Sequence, residues 1–299
     1  MSNPFYGLIP AMMTPFTAND TIDEEAIDRL AKWVTRDGVN TLFVLGYCGE
    51  CFTLSREERY KVISLARKSV GPDKKMIAGV MGNSTKEILT YANDAAEAGA
   101  DYVLATPTNF LIQNDRELKG LFTDIADNSP LPLVIYNCPE NVQTLHTDVI
   151  AELSKHENIV AMKQTSDHIE LEEMLIATEK SDNFTMISGN EYCFMASLGV
   201  GVKSFIMGGP GNILPQNCVR IINKYQSGDC FGASKDYMHM LRFLMELYAL
   251  PGMAESIIKG VMELYGLSTR WMRKPTISAS DAILEDIKRL IDKHQITID

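Results

Sequence analysis

Positive charge is scarce in this sequence: 28 Lys and Arg stand against 39 Asp and Glu, a formal net charge of −11 over 299 residues. Nucleic acids and anionic membrane surfaces are bound through clustered cations, so neither is an expected partner. An anionic small molecule would need a local positive site. No apolar run approaches the roughly 18 residues of a membrane-spanning helix. The amino-terminal MSNPFYGLIP has neither a basic start nor an apolar signal core. Six cysteines (Cys48, Cys51, Cys138, Cys193, Cys218 and Cys230) are dispersed along the chain, which reads as free thiols in a reducing cytoplasm. Cys48 and Cys51 have CxxC spacing but no second pair or nearby His. The five histidines show no ligand spacing either, so no metal and no cofactor are expected.

Short apolar, β-branched runs are plentiful. They occupy 7–13, 41–45, 76–81, 101–105, 132–136, 159–163, 184–188 and 202–207. Apolarity that is continuous rather than alternating marks strands covered on both faces. Helix-start signals lie between them: Thr21-Ile-Asp-Glu-Glu25, the capping-box patterns Ser55-Arg-Glu-Glu58 and Ser84-Thr-Lys-Glu87, and possible caps at Thr147-Asp148 and Ser166-Asp167. Strand and helix alternate up to about residue 225. The GxGxxG of a doubly wound sheet is missing after the first strand, so eight successive βα units are expected to close into an α/β fold of the (β/α)8 TIM-barrel type. Beyond about residue 228 three helical stretches follow, near 229–249, 253–265 and 280–295. The expected organisation is a catalytic barrel over 1–227 and a C-terminal three-helix appendage over 228–299, whose chemistry the residues do not disclose.

In such a barrel the reacting groups sit at the C-terminal strand ends. Strand 6 ends in MKQTS, placing Lys163 at the close of an apolar run. Burial lowers an amine's pKa, and a neutral amine attacks ketones, so Lys163 reads either as a Schiff-base nucleophile or as a structural lysine paired with a carboxylate near the mouth. Tyr136 ends the neighbouring strand, as a proton shuttle for that lysine or as an aromatic plug in the core. The strand-2 end GYCGECFTL carries Gly46 and Gly49 around Tyr47 and Cys48. It is either a backbone cradle for a carboxylate or a plain turn, with Glu50 as a buried tie. The strand-8 end FIMGGPGN could cradle a phosphate, though no helix-opening Ser or Thr follows and no Arg is near.

Taken together, these segments resemble one family. GYCGECFTL is similar to G-x-x-G-E-x-x-x-L, YNCP to Y-N-x-P and MKQTS to K-x-[ST]-S; SGNEY and GVKSFIMGG resemble its last two strand ends. The chain is identified as a member of the dihydrodipicolinate synthase and N-acetylneuraminate lyase family of class I, pyruvate-dependent aldolases, from GLIPAMMTPF to RKP. The resemblance implies that Lys163 forms an imine with pyruvate or another 2-oxo acid and that Tyr136 transfers protons. It implies that Tyr47 and Cys48 hold the 2-oxo acid's carboxylate, where the family has two hydroxyl residues, and that the Ile206 carbonyl lines the same place. Gly189 and Glu191 fall at the strand-7 end, Glu191 where sialic-acid lyases have an acidic residue for sugar hydroxyls. Asn141 replaces the arginine that grips the aldehyde's carboxylate in dihydrodipicolinate synthases, and Asn109 replaces a relay tyrosine.

The implied activity is reversible cleavage of a 4-hydroxy-2-oxo acid to pyruvate and an aldehyde by a lyase, in the manner of N-acetylneuraminate lyase. KQTS and RKP favour that branch, while Tyr47-Cys48 and Phe110 depart from its sialic-acid members. The alternatives are a dihydrodipicolinate synthase with altered contacts to its second substrate, a 2-keto-3-deoxy sugar acid aldolase or dehydratase, and a non-catalytic 2-oxo acid sensor. The family resemblance also implies a homotetramer.

Overall fold

A computed structural model describes residues 3–298. Eight strands, β1 (Gly7–Pro10), β2 (Thr41–Val44), β3 (Lys75–Gly79), β4 (Tyr102–Ala105), β5 (Leu133–Asn137), β6 (Ile159–Gln164), β7 (Thr185–Ser188) and β8 (Ser204–Met207), form one parallel sheet. Its order is β1-β8-β7-β6-β5-β4-β3-β2. The ring closes just past β1. The Ala11 N–H donates to the Met207 carbonyl and the Met12 N–H to that of Phe43, so the chain passes there from β8 to β2. This transfer is why β1 occupies only the first part of the apolar run 7–13. All eight strands read from the sequence are present, and the fold is a (β/α)8 barrel.

Around the strands run α1 (Glu24–Val34), α2 (Arg56–Val70), α3 (Thr85–Glu97), α4 (Asp115–Asn128), α5 (Thr147–Leu153), α6 (His168–Thr178), α7 (Phe194–Gly199), α8 (Gly209–Ile213) and α9 (Pro215–Gln226). Their inner faces follow helical spacing; α1 buries Ala26, Ile27, Leu30, Ala31 and Val34. Asp23, Ser55 and Asp167 cap as their sequences suggest, and Ser55 with Glu58 closes a reciprocal box.

Two cap readings need correction. Ser84 caps α3, but the Glu87 carboxylate accepts from the Asn83 N–H and the Tyr91 hydroxyl instead of reaching back to Ser84, leaving that box open. Thr147 and Asp148 lie inside α5, behind His146, which occupies the cap position without a side-chain bond. The sequence reading also passed over a reciprocal box at Asn114 and Glu117 on α4.

Three further helices follow: α10 (Cys230–Tyr248), α11 (Ala254–Leu264) and α12 (Asp281–His294). Helix α10 lies along α9, α12 covers α10 and α11, and α11 packs on α8 at the C-terminal mouth. No helix among the described residues is long and apolar enough to cross a membrane.

A buried ion pair ties this helical segment to the barrel. Lys259 of α11 is fully buried, and its Nζ lies 2.5 Å from Glu50 Oε1 while donating to the Trp271 carbonyl at 2.9 Å. The second Glu50 oxygen accepts from the Arg273 N–H at 3.0 Å. Glu50 is therefore the buried tie that its sequence context suggested, and its partner comes from a segment some 200 residues away. Removing one member of such a pair strands the other charge, whereas replacing both with apolar residues costs far less. Glu50→Ala is expected to lower unfolding free energy by about 3–5 kcal/mol in urea titration, and the double variant Glu50→Leu/Lys259→Met by much less. Equal losses in both would refute the stranded-charge account.

Candidate active site

The parallel register of β5 and β6 sets Tyr136 directly beside Lys163. Lys163 is 6% exposed, with its Nζ 4.0 Å from the Tyr136 ring centroid and 5.7 Å from that of Phe43. It joins no ion pair among the described residues. Burial holds its pKa below the usual lysine value, while the nearby Cys48, Cys138 and Glu191 oppose that shift. Gly189, beyond β7, leaves the space the lysine crosses. A methyl group there would come within 2.6 Å of both Lys163 Cε and Thr165 Cγ2.

Burial pushes the Tyr136 phenol well above its ordinary pKa, and the neighbouring Cys138 and Cys48 add to that shift. The thiols of Cys48 and Cys138 are pushed up to about 12 and about 11, again chiefly by burial. With these phenol and thiol groups held toward their neutral forms, burial remains the largest influence on the Lys163 amine.

The loop after β2 is a tight turn. Leu45 and Glu50 adopt left-handed backbone angles at φ 59° and 53°. The N–H groups of Gly49 and Cys51 return to the Gly46 carbonyl and that of Glu50 to the Tyr47 carbonyl. At Gly46 a methyl group would come within 2.6 Å of Phe43, and at Gly49 it would sit tightly, 3.2 Å from the Leu45 and Gly46 nitrogens and the Met12 carbonyl oxygen. The two glycines therefore serve the packing of the turn. The Tyr47 and Cys48 N–H groups take no backbone partner among the described residues, and both residues line the cavity.

That cavity measures about 380 Å³. It gathers Tyr47, Cys48, Tyr136, Asn141, Lys163, Gly189 and Glu191 from four strand ends, those of β2, β5, β6 and β7. Asn141 lies beside the Tyr47 phenol, whose pKa burial raises. The Tyr248 hydroxyl donates to Glu191 Oε1 at 2.9 Å. Ile206 is not brought to the lining; it lies fully buried on β8, paired with Ile9, two residues before Gly208 in the wall. Phe110 is 91% exposed and stands outside the cavity. Asn109 lines a smaller neighbouring cavity of about 190 Å³ that shares Tyr47, Tyr136 and Asn141.

The glycine-rich strand-8 end makes room for side chains. A methyl group on Gly208 would overlap the Cys48 sulfur, and one on Gly209 the Tyr248 hydroxyl. Neither glycine is spare for a phosphate.

Four lining residues come from the C-terminal helices and their junctions: Tyr248, Ala254, Glu255 and Ile258. Sequence reasoning missed them, because no local pattern in YALPGMAESIIK points to a barrel mouth. Glu255 Oε1 lies 4.0 Å from the Cys48 sulfur, and burial raises the pKa of its carboxyl.

Two measurements check this geometry. Since only the neutral amine is nucleophilic, labelling of Lys163 by a small amine-selective reagent should rise with pH and level off below the ordinary lysine value of 10.5. A plateau at or above that value would contradict the burial argument. Gly189→Ala, by displacing the lysine, should slow the same labelling about tenfold or more while the fold is retained by circular dichroism.

Comparison with known proteins agrees with the barrel fold. The sequence model of the dihydrodipicolinate synthetase family matches residues 4–294. The chain is 31% identical over 280 residues to a 4-hydroxy-tetrahydrodipicolinate synthase of Methanosarcina mazei, covering 93% of this chain and 94% of that one. It is 33% identical over 282 residues to a putative mitochondrial 4-hydroxy-2-oxoglutarate aldolase of Coccidioides immitis, covering 93% and 84%. Among solved structures it superposes on YagE, an E. coli prophage protein of the dihydrodipicolinic acid synthase family in complex with pyruvate, with a TM-score of 0.92, 25% identity and coverage of 98% and 99%. With a barrel whose mouth presents a buried lysine beside a tyrosine, and with a match running from residue 4 to 294, the chain belongs to the dihydrodipicolinate synthetase family and is a lyase of the aldolase type.

Proposed function

We propose that this protein is a Schiff-base-forming aldolase that reversibly cleaves a 4-hydroxy-2-oxo acid to pyruvate and an aldehyde. The observation that carries the reading is Lys163 itself: buried, free of an ion pair among the described residues, and beside Tyr136 at an open cavity. The pyruvate complex of YagE and the aldolase name of the Coccidioides relative support it.

In this reading the substrate carboxylate docks on the Tyr47 and Cys48 N–H groups. The neutral Lys163 amine attacks the C2 ketone, and the carbinolamine hydroxyl leaves as water with the proton of Tyr136, giving a protonated imine and the Tyr136 phenolate. As the C3–C4 bond breaks, its electrons move to the imine and form an enamine, while the C4 hydroxyl passes its proton to Tyr136. The phenolate this requires is unfavourable alone, because burial raises the phenol's pKa. The protonated imine, held against the same ring, offsets that cost electrostatically. In condensation the neutral phenol is the form needed, since it donates to the aldehyde oxygen. Protonation of the enamine at C3 and hydrolysis release pyruvate and restore the amine.

Incubation with pyruvate and borohydride should leave a reduced adduct on Lys163, detectable by mass spectrometry, and Lys163→Ala should lose it. Tyr136→Phe should keep the adduct yet lower carbon–carbon bond turnover by about 10²- to 10⁴-fold. Wild-type protein without an adduct would end this proposal.

A further inference from the structure

The smaller cavity beside Tyr136 carries, on one wall, a buried hydroxyl without a partner. Thr106 follows β4 directly, one step beyond the Ala105–Ile135 pair, so parallel register sets it level with Tyr136, just as the next strand sets Tyr136 level with Lys163. Thr106 is 3% exposed, and its Oγ1 has no hydrogen-bond partner among the described residues. Two residues on, the Thr108 hydroxyl bonds to Gln113, so the lack belongs to Thr106. Thr106 lines the cavity of about 190 Å³ that shares Tyr47, Tyr136 and Asn141 with the larger one. Phe52, Met81 and Val142 form much of its remaining wall, and no charged side chain joins it among the described residues. A buried hydroxyl is ordinarily paired, and where the protein offers no partner a bound water does so. The cavity has the room, since a water needs only about 10–15 Å³ of such space. A mostly apolar wall with one buried hydroxyl holds that water in place but leaves it exchangeable.

The chemistry at Tyr136 both makes and uses a water. In imine formation the C–O bond of the carbinolamine breaks, and the hydroxyl leaves as water with the Tyr136 proton. In hydrolysis a water attacks C2 of the protonated imine and returns a proton to the phenolate. Between these steps the larger cavity is occupied by the substrate's own fragments. The water therefore needs a place beside Tyr136 and out of the aldehyde's path. The cavity of Thr106, which Tyr136 also lines, is such a place.

We propose that the water released in imine formation moves into this second cavity and returns from it for hydrolysis, with Thr106 as the positioning residue that holds it beside Tyr136. This rests on the aldolase reading above, and one set of measurements separates the two. Protein is mixed with pyruvate and quenched with borohydride at millisecond intervals, and the adduct on Lys163 is counted by mass spectrometry. Chasing an isotopically labelled imine with unlabelled pyruvate gives the rate of its hydrolysis. In heavy water, the number of deuterium atoms on each returned pyruvate reports how often the enamine forms before hydrolysis intervenes. Thr106→Val should slow imine formation and hydrolysis about fivefold or more while raising the share of multiply deuterated pyruvate, and Thr106→Ser should restore both. A variant that merely displaced Tyr136 would slow the enamine step as well and add no deuterium. Should Thr106→Val not fold, Val142→Phe, which fills the same cavity, carries the same expectation. With an adduct on the wild type, unchanged rates in the variant, slower rates without added deuterium, or no rescue by serine overturns this inference and leaves the aldolase reading standing. Absence of an adduct on the wild type overturns that reading and this inference with it.

Discussion

Two lysines are buried at the mouth of this barrel, and the difference between their partners organises everything around them. Lys259 lies against Glu50 at 2.5 Å and bonds the Trp271 carbonyl, which accounts for its charge. Lys163 is buried almost as deeply but has an aromatic face and neutral thiols instead of a carboxylate. Burial lowers the pKa of both, but only at Lys259 does a bonded carboxylate oppose it. The structural lysine that sequence reasoning held open for position 163 exists in this protein, at position 259.

The two sites are mechanically joined. Glu50 closes the turn that carries Tyr47 and Cys48, so the Lys259 pair fixes the loop standing beside Lys163. The same helix that supplies Lys259 supplies Glu255 one turn earlier. A segment outside the eight βα units is thus both a brace for the site and part of its wall. Glycines at 189, 208 and 209 complete the fit by yielding space to Lys163, Cys48 and Tyr248.

The barrel was legible because its signal is local. Strands covered on both faces must be continuously apolar, so each announced itself within a few residues, and a lysine ending such a run stood out. Parallel register then made Tyr136 and Lys163 neighbours without further information. Glu255 and Tyr248 were not legible, since their place depends on α11 docking at the mouth, which no local periodicity encodes. The box at Ser84 stayed open for a related reason, although Ser84 itself caps α3: the Glu87 carboxylate has two other donors, Asn83 and Tyr91.

On the proposed chemistry, the electrostatics of the site also impose an order on its substrates. Before any ligand arrives, the cavity holds a lysine with a lowered pKa beside carboxylates on its far wall, an arrangement hostile to a lone anion except at the Tyr47 and Cys48 N–H groups. A 2-oxo acid satisfies that one place and converts Lys163 into a fixed cation through the imine. Only then does the Tyr136 oxygen lie beside a positive charge that can stabilise its phenolate. An aldehyde entering first would meet a phenol without that cation and no carbon nucleophile. The enamine that attacks it exists only after the 2-oxo acid has bound, so the burial that lowers the Lys163 pKa also makes the 2-oxo acid the leading substrate in the condensation direction.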